Sequence, residues 1–91
     1  MGDNAQMNWE DFRYFLTLAD AGSFSGAART LGVDHSTVAR RVAALETAFG
    51  VRLIDRLPKA VMLTQEGHAL ARRGQGALEA MFAVERAAAG A

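Results

Sequence analysis

The stretch SFSGAARTLGVDHSTVARRVAALETAF, residues 23–49, reads as a short helix, a glycine-centred turn and a longer helix. Ser23 is a ready N-cap, and Phe24, Ala27, Ala28 and Leu31 then recur on one helical face. The small pair Ala27 and Ala28 lets another helix cross closely. Gly32 suits the turn because glycine enters positive φ without steric cost. Val33 can tuck between the two helices. Asp34 is the N-cap candidate of the longer helix. Val38, Val42, Leu45 and Phe49 recur at i, i+4, i+7 and i+11 and form one expected buried stripe. His35, Ser36, Thr37, Arg40, Arg41 and Ala44 are left on the other faces, and Gly50 closes the helix.

On the N-terminal side, Asn8 precedes Trp9, Glu10 and Asp11, an N-cap followed by acids in the first turn. Phe12, Phe15, Leu16 and Ala19 then mark an amphipathic helix over about residues 9–21, a scaffold element that ends at Gly22. Residues 1–6 are polar and are expected to be disordered. On the C-terminal side, Val51–Arg56 and Val61–Leu63 are β-favouring, with Leu57-Pro58-Lys59-Ala60 as the turn between them. This is a hairpin, a wing over residues 52–63.

Thr64 can cap a fourth helix, although Gly67 stands where a capping box would have Glu or Gln. That helix runs to about residue 88 with Leu70, Ala77, Leu78, Met81, Phe82 and Val84 on its apolar side. Gly74 and Gly76 weaken it by about 1 kcal/mol each relative to alanine. A stripe this long exceeds what a small domain can cover. It either pairs with a second copy of the chain, the simpler partner, or folds back on its own domain. The fold class is therefore mainly α: three helices and a two-stranded wing over residues 7–63, then a long dimerisation helix over 64–91.

Composition bounds the function. The chain has 51% hydrophobic and 22% charged residues, which suits a globular domain rather than a disordered one. It has no cysteine, which excludes disulfides, thiolate metal sites and cysteine nucleophiles and fits a cytoplasmic setting. No apolar run approaches a membrane span, and no secretory signal is visible. The formal net charge is zero, but its distribution is uneven. Residues 1–34 carry two basic against five acidic side chains; residues 35–60 carry five basic against two acidic; residues 61–91 balance. Screening confines fields to about 8–10 Å, so the basic middle segment can attract phosphate despite the neutral total. The two histidines lie 33 residues apart without metal-ligand spacing, and there is no glycine-rich phosphate loop or paired carboxylate site. No enzyme and no cofactor are expected.

A second helix that keeps its polar residues at its start and along one side suits the major groove of duplex DNA. The matching stretches go further. Phe12-Arg13-Tyr14-Phe15-Leu16, Ala21-Gly22-Ser23-Phe24-Ser25, Ala27-Ala28-Arg29-Thr30-Leu31, Ser36-Thr37-Val38-Ala39-Arg40-Arg41-Val42, Leu45-Glu46, Gly50-Val51-Arg52-Leu53-Ile54-Asp55-Arg56 and Leu63-Thr64-Gln65-Glu66-Gly67 stand in collinear order. Together they resemble the N-terminal winged helix-turn-helix and linker helix of LysR-type transcriptional regulators. The resemblance implies a bacterial transcription factor that dimerises through the linker helix and binds an interrupted dyad near a promoter. RNA polymerase would be a further partner of the full-length protein. Such regulators carry a C-terminal effector-sensing domain, and a chain that stops at Ala91 is expected to be a fragment without it. Three positions depart from the family's usual residues: Asp34 and Ala39, where serine is common, and His35, where glutamine is common. Glutamine matches adenine bidentately, whereas histidine offers one donor or one acceptor, or two donors when protonated.

On this reading the DNA-binding residues are His35, Ser36, Thr37, Arg40, Arg41, Arg56, Lys59, Ser23 and Ser25. His35, Ser36 and Thr37 open the recognition helix, the last two also serving simply as helix-start residues. Arg40 is assigned to guanine or to phosphate, and Arg41 to backbone phosphate or to an acid. Arg56, at the wing base, is assigned to phosphate. Lys59, at the wing tip, enters or flanks the minor groove. Ser23 and Ser25 donate to phosphate, with capping an equal explanation for Ser23. Leu70, Ala77, Leu78, Met81 and Phe82 form the dimer interface. The alternative is a winged-helix protein-interaction adaptor, whose recognition surface would be apolar rather than studded with His35, Thr37, Arg40 and Arg41.

Overall fold

The first helix, α1 (Trp9–Ala21), begins where Asn8 accepts a hydrogen bond from the Glu10 amide at 2.8 Å. The computed structural model describes residues 7–90, so the segment expected to be disordered lies outside the described residues. Helix α2 (Phe24–Leu31) is capped by the Ser23 hydroxyl, which accepts from the Gly26 amide at 3.0 Å. Helix α3 (His35–Phe49) is capped by Asp34. The turn between α2 and α3 depends on Gly32, at φ 70°, where a side chain would be strained. There the Gly32 and Val33 amides both donate to the Ala28 carbonyl, at 2.9 and 3.1 Å.

The three helices close on one core. Phe15, Leu18, Val38, Leu45 and Ala27 are fully buried, and Phe12, Leu16, Val42 and Phe24 nearly so. Two residues outside the expected stripe of α1 join them: Tyr14 and Leu18 are buried, because α2 and α3 cover α1 over a wider arc than one stripe. At the far end of α3 the expectation fails in the other direction. Phe49 is 38% exposed, since α3 runs past the three-helix core. Its ring borders a shallow apolar hollow with Val51, Leu53 and Leu70.

The wing forms as an antiparallel pair, β1 (Ile54–Leu57) and β2 (Ala60–Leu63), in the register Ile54 to Leu63 and Leu57 to Ala60. Its boundaries differ from the sequence reading. Leu57 and Ala60 belong to the strands, leaving Pro58 and Lys59 as a two-residue turn. Residues 51–53 are not strand. They are held instead by Glu46, whose carboxylate accepts the Leu53 amide at 2.8 Å and the Ile54 amide at 3.3 Å. The Val61 amide donates to the Gly22 carbonyl at 2.9 Å, which ties the wing to the turn between α1 and α2.

Helix α4 (Gln65–Gly90) starts under Thr64, whose hydroxyl accepts from the Gly67 amide at 3.0 Å and donates to the Arg52 carbonyl at 2.7 Å. Its first half crosses the domain at two glycines. Gly67 is buried against the Leu53 carbonyl, and Gly74 against the Phe12 ring and Leu16. Gly74 is thus a close-packing position rather than only a weak point in the helix. Leu70 and Leu78 are half-buried against the chain's own core, so that part of the expected dimer stripe serves the domain itself. Residues 79–90 are exposed throughout, and Val84, at 68%, touches little.

Candidate nucleic-acid interface

Two helix starts and the wing meet on one side of the molecule. Ser23 and Ser25 come from the beginning of α2, His35 from the beginning of α3, and Arg56 and Lys59 from the wing. Together they line a cleft of about 380 Å³. The residues are far apart in sequence, and the wing's anchorage on Gly22 brings them together. Phe24 organises the floor. Its ring lies 5.2 Å from the His35 ring at a tilt of 46°, and the Arg56 guanidinium sits 4.9 Å from its centroid. Arg56 reaches it because residues two apart on a strand share a face, so Arg56 follows the buried Ile54 onto the body side of the hairpin. His35 therefore has a packing partner inside the fold.

The rest of the recognition helix sorts into free and committed groups. Ser36 and Arg40 are exposed. Thr37 is partly committed: its amide donates to the Asp34 carboxylate at 3.0 Å, and its hydroxyl donates to the same oxygen. These two bonds, the hydroxyl's first, hold the Asp34 carboxyl below its ordinary value of 3.8. The charge of Asp34 is thereby spent on the helix start, where it also complements the dipole.

Arg41 does not join the free face. Its Nη1 donates to Asp11 at 3.1 Å, and its guanidinium lies 5.1 Å from the Tyr14 centroid. Of the two partners expected for it, phosphate or an acid, the fold supplies the acid. One residue along an α-helix is a rotation of about 100°, which turns Arg41 toward α1 while Arg40 faces out. Arg52, near the wing root, is paired with Asp55. The free cations of the basic segment are thus Arg40, Arg56 and Lys59 among the described residues. Among the same residues no cluster of three or more His, Cys, Asp or Glu could hold a metal, and no helix is long and apolar enough to cross a membrane.

Residue 9 to residue 68 of this chain matches the family described as bacterial regulatory helix-turn-helix protein, lysR family. The chain belongs to that family. It carries the helix-turn-helix DNA-binding domain of a LysR-type regulator, in a family of regulators and not of enzymes. A probable hydrogen peroxide-inducible genes activator of Mycobacterium leprae is 46% identical over 78 residues, which are 86% of this chain and 25% of that protein. The HTH-type transcriptional regulator CrgA of Neisseria meningitidis is 40% identical over 78 residues, covering 86% of this chain and 26% of the relative. The chain thus spans about a quarter of the length of these LysR-family relatives. Among solved structures, the CbnR DNA-binding domain in complex with DNA superposes at a TM-score of 0.81 with 33% identity, over 92% of this chain and 98% of that one. Oxidized OxyR of Corynebacterium glutamicum superposes at 0.87 with 29% identity, over 91% of this chain and 27% of its own.

Sequence reasoning missed Glu46, Tyr14 and Gly74 as parts of this platform. Glu46 carried a signal: a carboxylate on the inner side of a helix, eight residues before a strand, needs a donor. The Asp11–Arg41 pair spans 30 residues and had none.

Proposed function

We propose that the chain binds double-stranded DNA sequence-specifically as one half of a homodimer in the cytoplasm, on an interrupted dyad. The recognition helix α3 enters the major groove with His35, Ser36 and Arg40 toward the base edges. Arg40 discriminates guanine by about 1–3 kcal/mol where it binds bidentately. The wing lies on the backbone, with Arg56 on phosphate and Lys59 at or in the minor groove. Ser23 and Ser25 donate to the same strand. The single observation that carries this reading is the cleft that gathers Ser23, Ser25, His35, Arg56 and Lys59 from three separate elements, without an acid on its walls.

The dimer rests on the outer half of α4. Met81 and Phe82 are 40% and 43% exposed and border a groove with the half-exposed Trp9, an apolar surface that a second copy would cover. Leu70 and Leu78 contribute less than the sequence suggested, being already packed on their own domain. In a full-length regulator of this kind, RNA polymerase is a further partner.

Titrating labelled duplex with the chain at several salt concentrations tests the reading. If five or six phosphates are neutralised per dimer, log K falls against log salt with a slope of about −5. No binding at low salt would refute it and favour a protein-interaction adaptor. Sedimentation of a monomer at high micromolar concentration would remove the α4 dimer.

A further inference from the structure

We infer that the wing cleft seats one backbone phosphate of the duplex between Arg56 and His35, and that His35 takes up a proton as the phosphate arrives. The inference rests on the duplex reading above and revises it at one residue, moving His35 from the base edges to a backbone phosphate and adding a proton there. Both side chains are held by one ring. Phe24 is 8% exposed and fixed in the core, with His35 5.2 Å and Arg56 4.9 Å from its centroid. The two cationic or potentially cationic groups therefore stand no further apart than the sum of those distances, across a cleft of about 380 Å³.

The charges that line the cleft beside His35 are positive, so an anion is the ligand they would take. From the wing, Arg56 and Lys59 face the cleft, both positive. From α2, Ser23, Phe24 and Ser25 carry no charge. On its own helix the neighbouring acid is Asp34, whose carboxylate is already bonded to the amide and hydroxyl of Thr37. A phosphate diester placed between His35 and Arg56 sets a negative charge beside the ring and accepts a hydrogen bond from the protonated ring nitrogen. Histidine is the side chain whose charge changes between pH 5 and 8, so the coupling falls in an accessible range. Glutamine at this position would give the same reach with no proton.

Duplex affinity measured from pH 5.5 to 8.5 at fixed ionic strength tests this. Affinity is expected to rise as pH falls, by up to about tenfold per protomer per pH unit, because each protomer binds one more proton in the complex. The salt slope should steepen at low pH by about 0.9 per protomer, the contribution of one added cation. His35→Gln should bind with no pH dependence, whereas His68→Gln, changed on the exposed start of α4, should keep it. Affinity of the unaltered chain that is flat across the range, or pH dependence that survives in His35→Gln, overturns the inference while leaving duplex binding intact. No binding at any pH removes the duplex reading and this one with it. If His35→Gln alone fails to bind, the imidazole C–H resonances of the unaltered chain decide. A His35 titration midpoint raised by duplex supports the proton uptake, and an unmoved one refutes it.

Discussion

Replacing Gly74 by alanine sets two opposed effects against each other, and the packing of α4 on α1 decides the sign. In a helix interior, glycine to alanine gains about 1 kcal/mol. At Gly76 an added Cβ meets nothing within 4 Å, so that gain should appear whole. At Gly74 the same Cβ would overlap the tip of the Phe12 ring, standing 2.9 Å from its Cε2 and 3.0 Å from Leu16 Cδ2. Phe12 and Leu16 are 4% and 2% exposed, so neither can swing aside into solvent. Overpacking of this kind costs about 1–3 kcal/mol. Gly74→Ala should therefore be between neutral and about 2 kcal/mol destabilised, and should lie about 1–3 kcal/mol below Gly76→Ala. For a domain of this size that separates the melting temperatures by at least about 4 °C. Thermal and urea unfolding followed by circular dichroism would measure it, at one protein concentration because self-association shifts the midpoint. Gly74→Ala melting at or above Gly76→Ala would show that α4 does not press on α1 as described.

Glu46→Ala leaves the buried Leu53 amide without its acceptor, so a loss of about 1–3 kcal/mol is expected in urea unfolding, with faster hydrogen exchange at Leu53 and Ile54. Arg41→Ala should lower stability by about 1 kcal/mol through its contacts with Asp11 and Tyr14, yet leave the salt slope of duplex binding unchanged. Arg56→Ala should do the reverse on the slope, flattening it by about 0.9 per protomer with its specificity intact. The Asp34 carboxyl is held down in the folded state, so its cap is fully present above the ordinary carboxylate range and fades as pH falls through the lowered value. Helicity measured during acid titration should drop there, and Asp34→Asn should remove that component.

Elements with local causes were legible in the sequence. Asn8, Ser23, Asp34 and Thr64 all cap the helices they were read to cap, because a cap bonds amides two or three residues away. The three turns fell at Gly22, Gly32 and Gly50 for the same reason. The wing was visible as two β-favouring runs around Pro58, but its edges were not. Whether Val51–Leu53 pair with a strand or bond to Glu46 depends on where α3 ends, and no propensity encodes that. The candidate cleft was legible in part. Ser23, Ser25, His35, Arg56 and Lys59 were named from their element starts and turns, and the cleft gathers all five. Their shared dependence on Phe24 was hidden, since a phenylalanine on an inner stripe reads only as core.

Arg40 and Arg41 show where pattern reasoning stops. Adjacent in sequence and identical in chemistry, they differ only in azimuth on α3. The sequence says that they point apart, but not which neighbour each one meets. Asp11 and Tyr14 settle it for Arg41 from an element 30 residues away, drawing one positive charge out of the surface open to DNA. That contact also has a use, because it ties the recognition helix to α1 at the point where α1 is pressed by α4. A change in α4 packing thus has a short route through Phe12, Asp11 and Arg41 to the helix proposed to enter the groove. Gly74→Ala should then affect duplex affinity as well as stability, and adding Arg41→Ala should abolish the effect on affinity. Equal affinity losses with and without Arg41 would show that the two helices are not coupled through that pair.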